Sequence, residues 1–137
     1  MFVEYSNDIQ QLESILEFKF WKPLDDYNLP SEEYDASLQS DWFMPDEYKT
    51  LDIEQFLVDM CPAENYSRIM DELAEFKQRD MYNLLRWLKY FVDTCRSNNI
   101  VWGVGRGSSV ASYVLYLIGV HKINSIKYNL DWQEFLR

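Results

Sequence analysis

Three of the four glycines in this 137-residue chain, Gly103, Gly105 and Gly107, fall at alternate positions within one five-residue stretch. Glycine loses more backbone freedom on folding than any other residue, so such a cluster calls for positive φ or for a ligand that must reach the amides. The preceding Ile100, Val101 and Trp102 favour a strand. Ser108 and Ser109 follow as helix starters, and Val110, Val114, Leu117 and Ile118 recur at helical spacing until Gly119. The stretch therefore predicts a strand, a glycine loop and a helix. The first amides of such a helix lack intrahelical partners and lie at the positive end of its dipole, so they favour an anion. Arg106 adds a guanidinium fork suited to phosphate oxygens, and Ser108, Ser109 and Ser112 add hydroxyl donors. The expected chemistry at Gly103, Gly105, Arg106, Gly107, Ser108, Ser109 and Ser112 is phosphate binding. Read from the residues alone, a tight structural turn stays open as the alternative. The spacing is neither a Walker loop, which needs a lysine after the last glycine, nor the G-x-G-x-x-G dinucleotide pattern.

Elsewhere hydrophobic periodicity predicts helices. Ile9, Leu12, Ile15 and Leu16 form one stripe, capped by Ser6 or Asn7 and ending before Pro23. Between Pro23 and Pro45 the pattern breaks, and aromatic residues among acids and prolines suggest an irregular connection. Thr50 is expected to start a short helix with Ile53, Phe56, Leu57 and Met60 inward, stopped by Pro62. A third helix carries Tyr66, Ile69, Leu73 and Phe76. The clearest stripe follows: Met81, Leu84, Leu85, Leu88, Phe91, Val92 and Cys95, closing at Asn98 and Asn99. The expected fold class is α+β, mainly helical, in a single domain over 1–137.

An apolar fraction of 47% and an aromatic fraction of 17% imply a packed core in place of disorder. No stretch has the length to cross a bilayer, and no leader pattern is visible, so a cytoplasmic, soluble protein with no membrane partner is expected. Cys61 and Cys95 fall on the apolar side of predicted helices and read as small hydrophobes, and His121 has no ligand partner at metal-site spacing. The net charge of −10 argues against strong free DNA binding. That charge is uneven. Residues 1–80 hold 20 acids against 6 bases, whereas residues 81–137 hold 3 against 7. The acidic part is either a solvated surface or a face that meets a basic partner.

Gly103-Val-Gly-Arg-Gly-Ser-Ser-Val-Ala-Ser112 resembles the Gly-Pro-Gly-Arg-Gly-Ser-Ala-Ala-Gly-Ser signature in the palm of bacterial DNA polymerase III alpha subunits, the C-family replicative polymerases. Downstream, Tyr116-Leu-Ile-Gly-Val120, Ile123, Lys127-Tyr-Asn-Leu130 and Glu134-Phe-Leu136 follow the family's run. Upstream, Arg68-Ile-Met-Asp-Glu-Leu73, the long helix and Ile100-Val-Trp-Gly103 keep the family's order. The resemblance covers residues 66–137. Residues 1–65 form an acidic helical region with no named counterpart.

The resemblance implies a partial polymerase-beta-like nucleotidyltransferase palm whose loop grips the triphosphate of an incoming nucleotide. Gly105, Arg106, Gly107 and Ser108 would take phosphate, with Ser112 at the family's second serine. Val104 stands where the family has proline, Val110 and Ala111 where it has Ala and Gly, and Asn124 and Ser125 where Asp-Pro is usual. The family's catalytic aspartates belong to a Pro-Asp-x-Asp motif beyond the segment matched here, so no catalytic residue is assigned. Asp131 and Glu134 read as exposed acids. No cofactor is intrinsic; Mg²⁺ would bind with a deoxynucleoside triphosphate only if a partner supplied the carboxylates. The expected role is DNA replication, without stand-alone polymerase activity, alongside a complementing chain or another replication protein, in a bacterium or in a cell infected by a bacteriophage. The alternatives are an acidic interaction module that binds or inhibits a nucleic-acid-processing protein, and a small nucleotide or phosphate binder.

Overall fold

The computed structural model describes residues 30–137 together with Gln11 and Ser14. The helix expected over Ile9–Leu16 lies outside the described residues except at those two helical positions. The chain divides into two compact units, Met1–Asp41 and Trp42–Arg137.

In the first unit, helix α1 (Ser31–Ser40) occupies part of the stretch expected to be irregular. Pro30 at its N-cap, with φ −53°, presets the entry, and Glu32 and Glu33 complement the dipole in the first turn. No side chain caps its first amides, and it carries no core-facing stripe. None of its residues is buried.

The second unit is built from helices α2 (Asp46–Lys49), α3 (Ile53–Met60), α4 (Tyr66–Gln78), α5 (Tyr82–Ser97) and α6 (Tyr113–Ile118). Short 3₁₀ turns form at Ala63–Asn65, Gly107–Ala111 and Trp132–Glu134. Asp52, not Thr50, caps α3, its Oδ1 accepting the Gln55 amide at 3.0 Å; Thr50 instead closes α2 through its amide on the Asp46 carbonyl. Pairwise packing of α3, α4, α5 and α6 encloses a core of Ile53, Leu57, Ile69, Leu73, Phe76, Leu85, Val92, Val114, Leu115 and Ile118, joined by Leu136. The stripes of α4 and α5 are therefore the core faces, as their spacing predicts. Tyr66 and Met60, at the ends of their stripes, are about half exposed.

Three stops use a left-handed residue other than glycine: Asp80 after α4, Asn99 after α5 and Asn129 in the turn before Leu130. Asp and Asn tolerate that conformation better than other side chains. At Asn99 it lets the Ile100 amide reach back to the Cys95 carbonyl at 2.8 Å.

No strand occurs among the described residues, so the β part of the expected α+β class does not form there. Ile100, Val101 and Trp102 favour strands, but a strand needs a neighbour to satisfy its amides and carbonyls, and none pairs with them. Val101 is 94% exposed. The segment is held by Trp102, whose Nε1–H donates to the Val120 carbonyl at 3.0 Å while the Arg96 guanidinium lies over its ring.

Candidate functional site

The glycine loop is open and sparsely bonded. Gly105 is its left-handed residue, at φ 69°, and the Arg106 amide donates to the Val104 carbonyl at 2.7 Å to close a three-residue turn around it. A Cβ built on Gly103, Gly105 or Gly107 would meet nothing within 4 Å. Only Gly105 needs glycine for its own conformation; at Gly103 and Gly107 the missing side chain leaves free space beside the backbone. Arg106 is exposed and folds back across the loop. Its Nε donates to Ser108 Oγ at 2.6 Å, one Nη donates to the Phe135 carbonyl at 2.9 Å, and the guanidinium lies over the Phe135 ring. Both acceptors are neutral, and no carboxylate pairs with Arg106 among the described residues.

The loop does not run straight into an α-helix. Gly107–Ala111 is a 3₁₀ turn, Ser112 is extended at φ −80° and ψ 119°, and α6 begins only at Tyr113. Ser112 is the true cap, its Oγ accepting the Leu115 amide at 3.2 Å. The expected helix start at Ser108 is thus displaced by five residues. The spacing of Val110, Val114, Leu117 and Ile118 did not reveal the break, because apolar periodicity carries no mark of where the hydrogen-bond pattern changes; Val110 lines the groove instead of joining the core.

The amides at the start of α6 are already taken by a side chain. Glu72 of α4 is fully buried, and its Oε1 accepts Arg68 Nε at 2.8 Å and the Tyr113 amide at 2.9 Å. Its Oε2 accepts Ser112 Oγ at 2.8 Å and the Val114 amide at 3.1 Å. Of the seven residues expected to bind phosphate, Gly103, Gly105, Arg106, Gly107 and Ser108 therefore cluster in the open loop. Ser109 and Ser112 are buried beneath it. Arg68 and Glu72 went unassigned from sequence, although one signal was present: Glu72 sits at a core position between Ile69 and Phe76 with an arginine four residues before it.

His121 completes this polar layer. The Ile123 amide donates to its Nδ1 at 3.2 Å, so Nε2 carries the proton and donates to the Ser112 carbonyl at 3.0 Å. Burial pushes its pKa below the usual histidine value. On the other side of the loop, Gly103, Val104, Val110, Trp102 and Lys122 help line a mainly apolar groove of about 380 Å³.

The described carboxylates do not fit a Mg²⁺ site. No group of three or more His, Cys, Asp or Glu side chains able to hold a metal occurs among the described residues. Asp131 Oδ1 accepts the Gln133 amide at 3.0 Å, and Glu134 faces Arg137. No helix among the described residues is long and apolar enough to cross a membrane.

Residues 46–137 match the model of the bacterial DNA polymerase III alpha NTPase domain. The chain belongs to that family. It is 34% identical over 73 residues to the DNA polymerase III subunit alpha of Thermotoga maritima, an overlap covering 53% of this chain and 9% of that protein. Identity to the Ureaplasma parvum subunit is 40% over 60 residues, or 44% of this chain and 6% of the relative. For the Staphylococcus aureus subunit it is 46% over 41 residues, or 30% and 4%. The chain thus spans less than a tenth of the length of these relatives. No solved structure matches it.

Proposed function

We propose that residues 66–137 are the nucleotide-gripping part of a polymerase palm, taking the triphosphate of a deoxynucleotide on the loop from Gly103 to Ser108. The observation that carries this reading is Arg106, an exposed guanidinium beside an open glycine turn, held by neutral acceptors alone among the described residues. A fork in that state can exchange a hydroxyl and a carbonyl for phosphate oxygens, which bind it more strongly. The adjoining groove of about 380 Å³ has the size and apolar lining to take a base and sugar. Family membership points the same way.

The reading stops at binding. Gripping a triphosphate does not accelerate its reaction unless the site also stabilises the transition state, and the carboxylates that would hold Mg²⁺ come from outside the described residues. They are supplied by a complementing chain or segment. Titrating a deoxynucleoside triphosphate against the wild type and Arg106→Ala tests the proposal. Binding by the wild type should weaken in the variant by about 1.5–3 kcal/mol, the scale of a hydrogen bond to a charged group. Equal affinity would refute it. Adding a polypeptide that carries the family's Pro-Asp-x-Asp segment should then give primer extension from the mixture and from neither component alone.

The acidic charge of residues 1–80, with a helix α1 that buries none of its residues, favours a second role as a docking module for a basic protein face. A partner captured through that region should stay bound when Arg106 is replaced, and should be lost when Glu32 and Glu33 are changed to lysine.

A further inference from the structure

Arg106 touches two short segments that are distant in sequence. Ser108 lies in the 3₁₀ turn Gly107–Ala111, and Phe135 directly follows the turn Trp132–Glu134. The position of the guanidinium therefore depends on how these two segments are held relative to each other. A single nitrogen ties them together. Arg68 Nη2 donates to the Ala111 carbonyl, where the first turn ends, and to the Leu130 carbonyl, just before the second begins, both at 2.8 Å. Its Nε is meanwhile fixed on Glu72, one turn along the same helix. Glu72 spends its other bonds on Ser112, Tyr113 and Val114, the residues that continue from Ala111.

We infer that Arg68, oriented by Glu72, is the positioning residue for Arg106: it sets the spacing between the two segments that hold the guanidinium over the glycine loop. The inference rests on the nucleotide-gripping role of Arg106 for its functional meaning, but the positioning itself is a property of the free protein. An Arg is suited to the task because its planar fork can donate to a carboxylate with one nitrogen and to two carbonyls with another, without rotating. A lysine keeps the charge beside Glu72 and offers one nitrogen in place of that fork. Charge alone would tolerate the exchange; geometry would not.

Two measurements on the full chain separate the possibilities. In the free protein, the Arg106 Nε–H resonance, identified by its disappearance in Arg106→Ala, reports its bond to Ser108 through slowed exchange with water. In Arg68→Lys this exchange should be about fivefold faster, the scale of one neutral hydrogen bond. A control, Val92→Ala, lowers stability through a core side chain that takes no part in the polar layer's hydrogen bonds and should leave the exchange unchanged. Should Arg68→Lys not fold, Glu72→Gln takes its place. Unaltered exchange in the variant, or the same acceleration in the control, overturns the inference. Titration with a deoxynucleoside triphosphate then tests the link to function. Arg68→Lys should weaken binding about fivefold, and the double variant Arg68→Lys with Arg106→Ala should bind no more weakly than Arg106→Ala alone. Additive losses overturn the link. Absence of binding by the wild type overturns the nucleotide reading and leaves the exchange measurement to decide the positioning role.

Discussion

At Glu72, four donors converge on one carboxylate that water does not reach, whereas around Gly105 a single amide bond closes the turn and the glycines face open space. The two regions are joined through Arg68, which bonds both Glu72 and the Ala111 carbonyl at the end of the Gly107–Ala111 turn, yet their chemistry is opposite. A buried charge must find all its partners inside the fold, because leaving it unpaired costs several kcal/mol. An exposed loop has water to satisfy its amides and can give them to a ligand at little cost. The anchored region bears stability, and the open one leaves its donors to solvent. The difference also narrows the proposed phosphate site. The amides at the start of α6 serve Glu72 and Ser112, so an anion must use the loop before Ser109.

The largest test of this division falls on the anchor. Glu72→Ala should destabilise the fold by about 3–5 kcal/mol in urea unfolding, since it strands Arg68 and frees the Ser112, Tyr113 and Val114 donors in a dry interior. A loss under about 1 kcal/mol would mean that water enters the site and that the contrast is not one of burial.

The two left-handed glycines give a finer comparison. Gly105→Ala should cost about 1 kcal/mol from strain at φ 69° alone, because its Cβ meets nothing. Gly119→Ala carries the same kind of strain at φ 97°, and its Cβ would also come 2.4 Å from Arg96 Nη2 and push that side chain off Trp102. Thermal unfolding should rank Gly119→Ala as the more damaging. The reverse order would show that the loop is more tightly held than its contacts suggest.

His121 supplies a pH test of the anchored side. Its folded pKa lies below the usual 6.5, so below about pH 6.5 the unfolded chain binds the proton first. Stability should therefore be full above that pH and fall as pH drops toward the folded pKa, where this loss ends. His121→Gln should remove this part of the slope in a Tm profile between about pH 5 and 8. A profile unchanged by the substitution would remove His121 from the acid response.

The smallest effect belongs to the open side. Arg106→Ala, which should weaken nucleotide binding, should change unfolding free energy by no more than about 0.5 kcal/mol, as expected for an exposed side chain with solvated partners. A larger loss would make Arg106 a structural clamp and merge the two regions.

Much of the fold was legible along the chain. Leu85, Val92 and Cys95 on α5, and Ile69, Leu73 and Phe76 on α4, are buried because helical spacing places them on one side, and that spacing is local. The stops at Asn99 and Gly119 were legible for a similar reason: few residues accept a left-handed backbone. The loop decamer likewise carried the family, since its glycines and Arg106 are contiguous. What misled was each feature whose outcome depends on a partner far along the chain. Ile100–Trp102 has strand propensity, but pairing requires a neighbouring strand. Ser108 can start a helix, but the chain waits until Ser112, where Glu72, forty residues earlier, accepts the buried donors that the helix leaves unpaired. Sequence by itself determined the amphipathic helices, their stops and the glycine-rich loop, because each is written in neighbouring residues. Only the tertiary structure decided which donors that loop keeps free, because a buried carboxylate takes its partners by proximity in space.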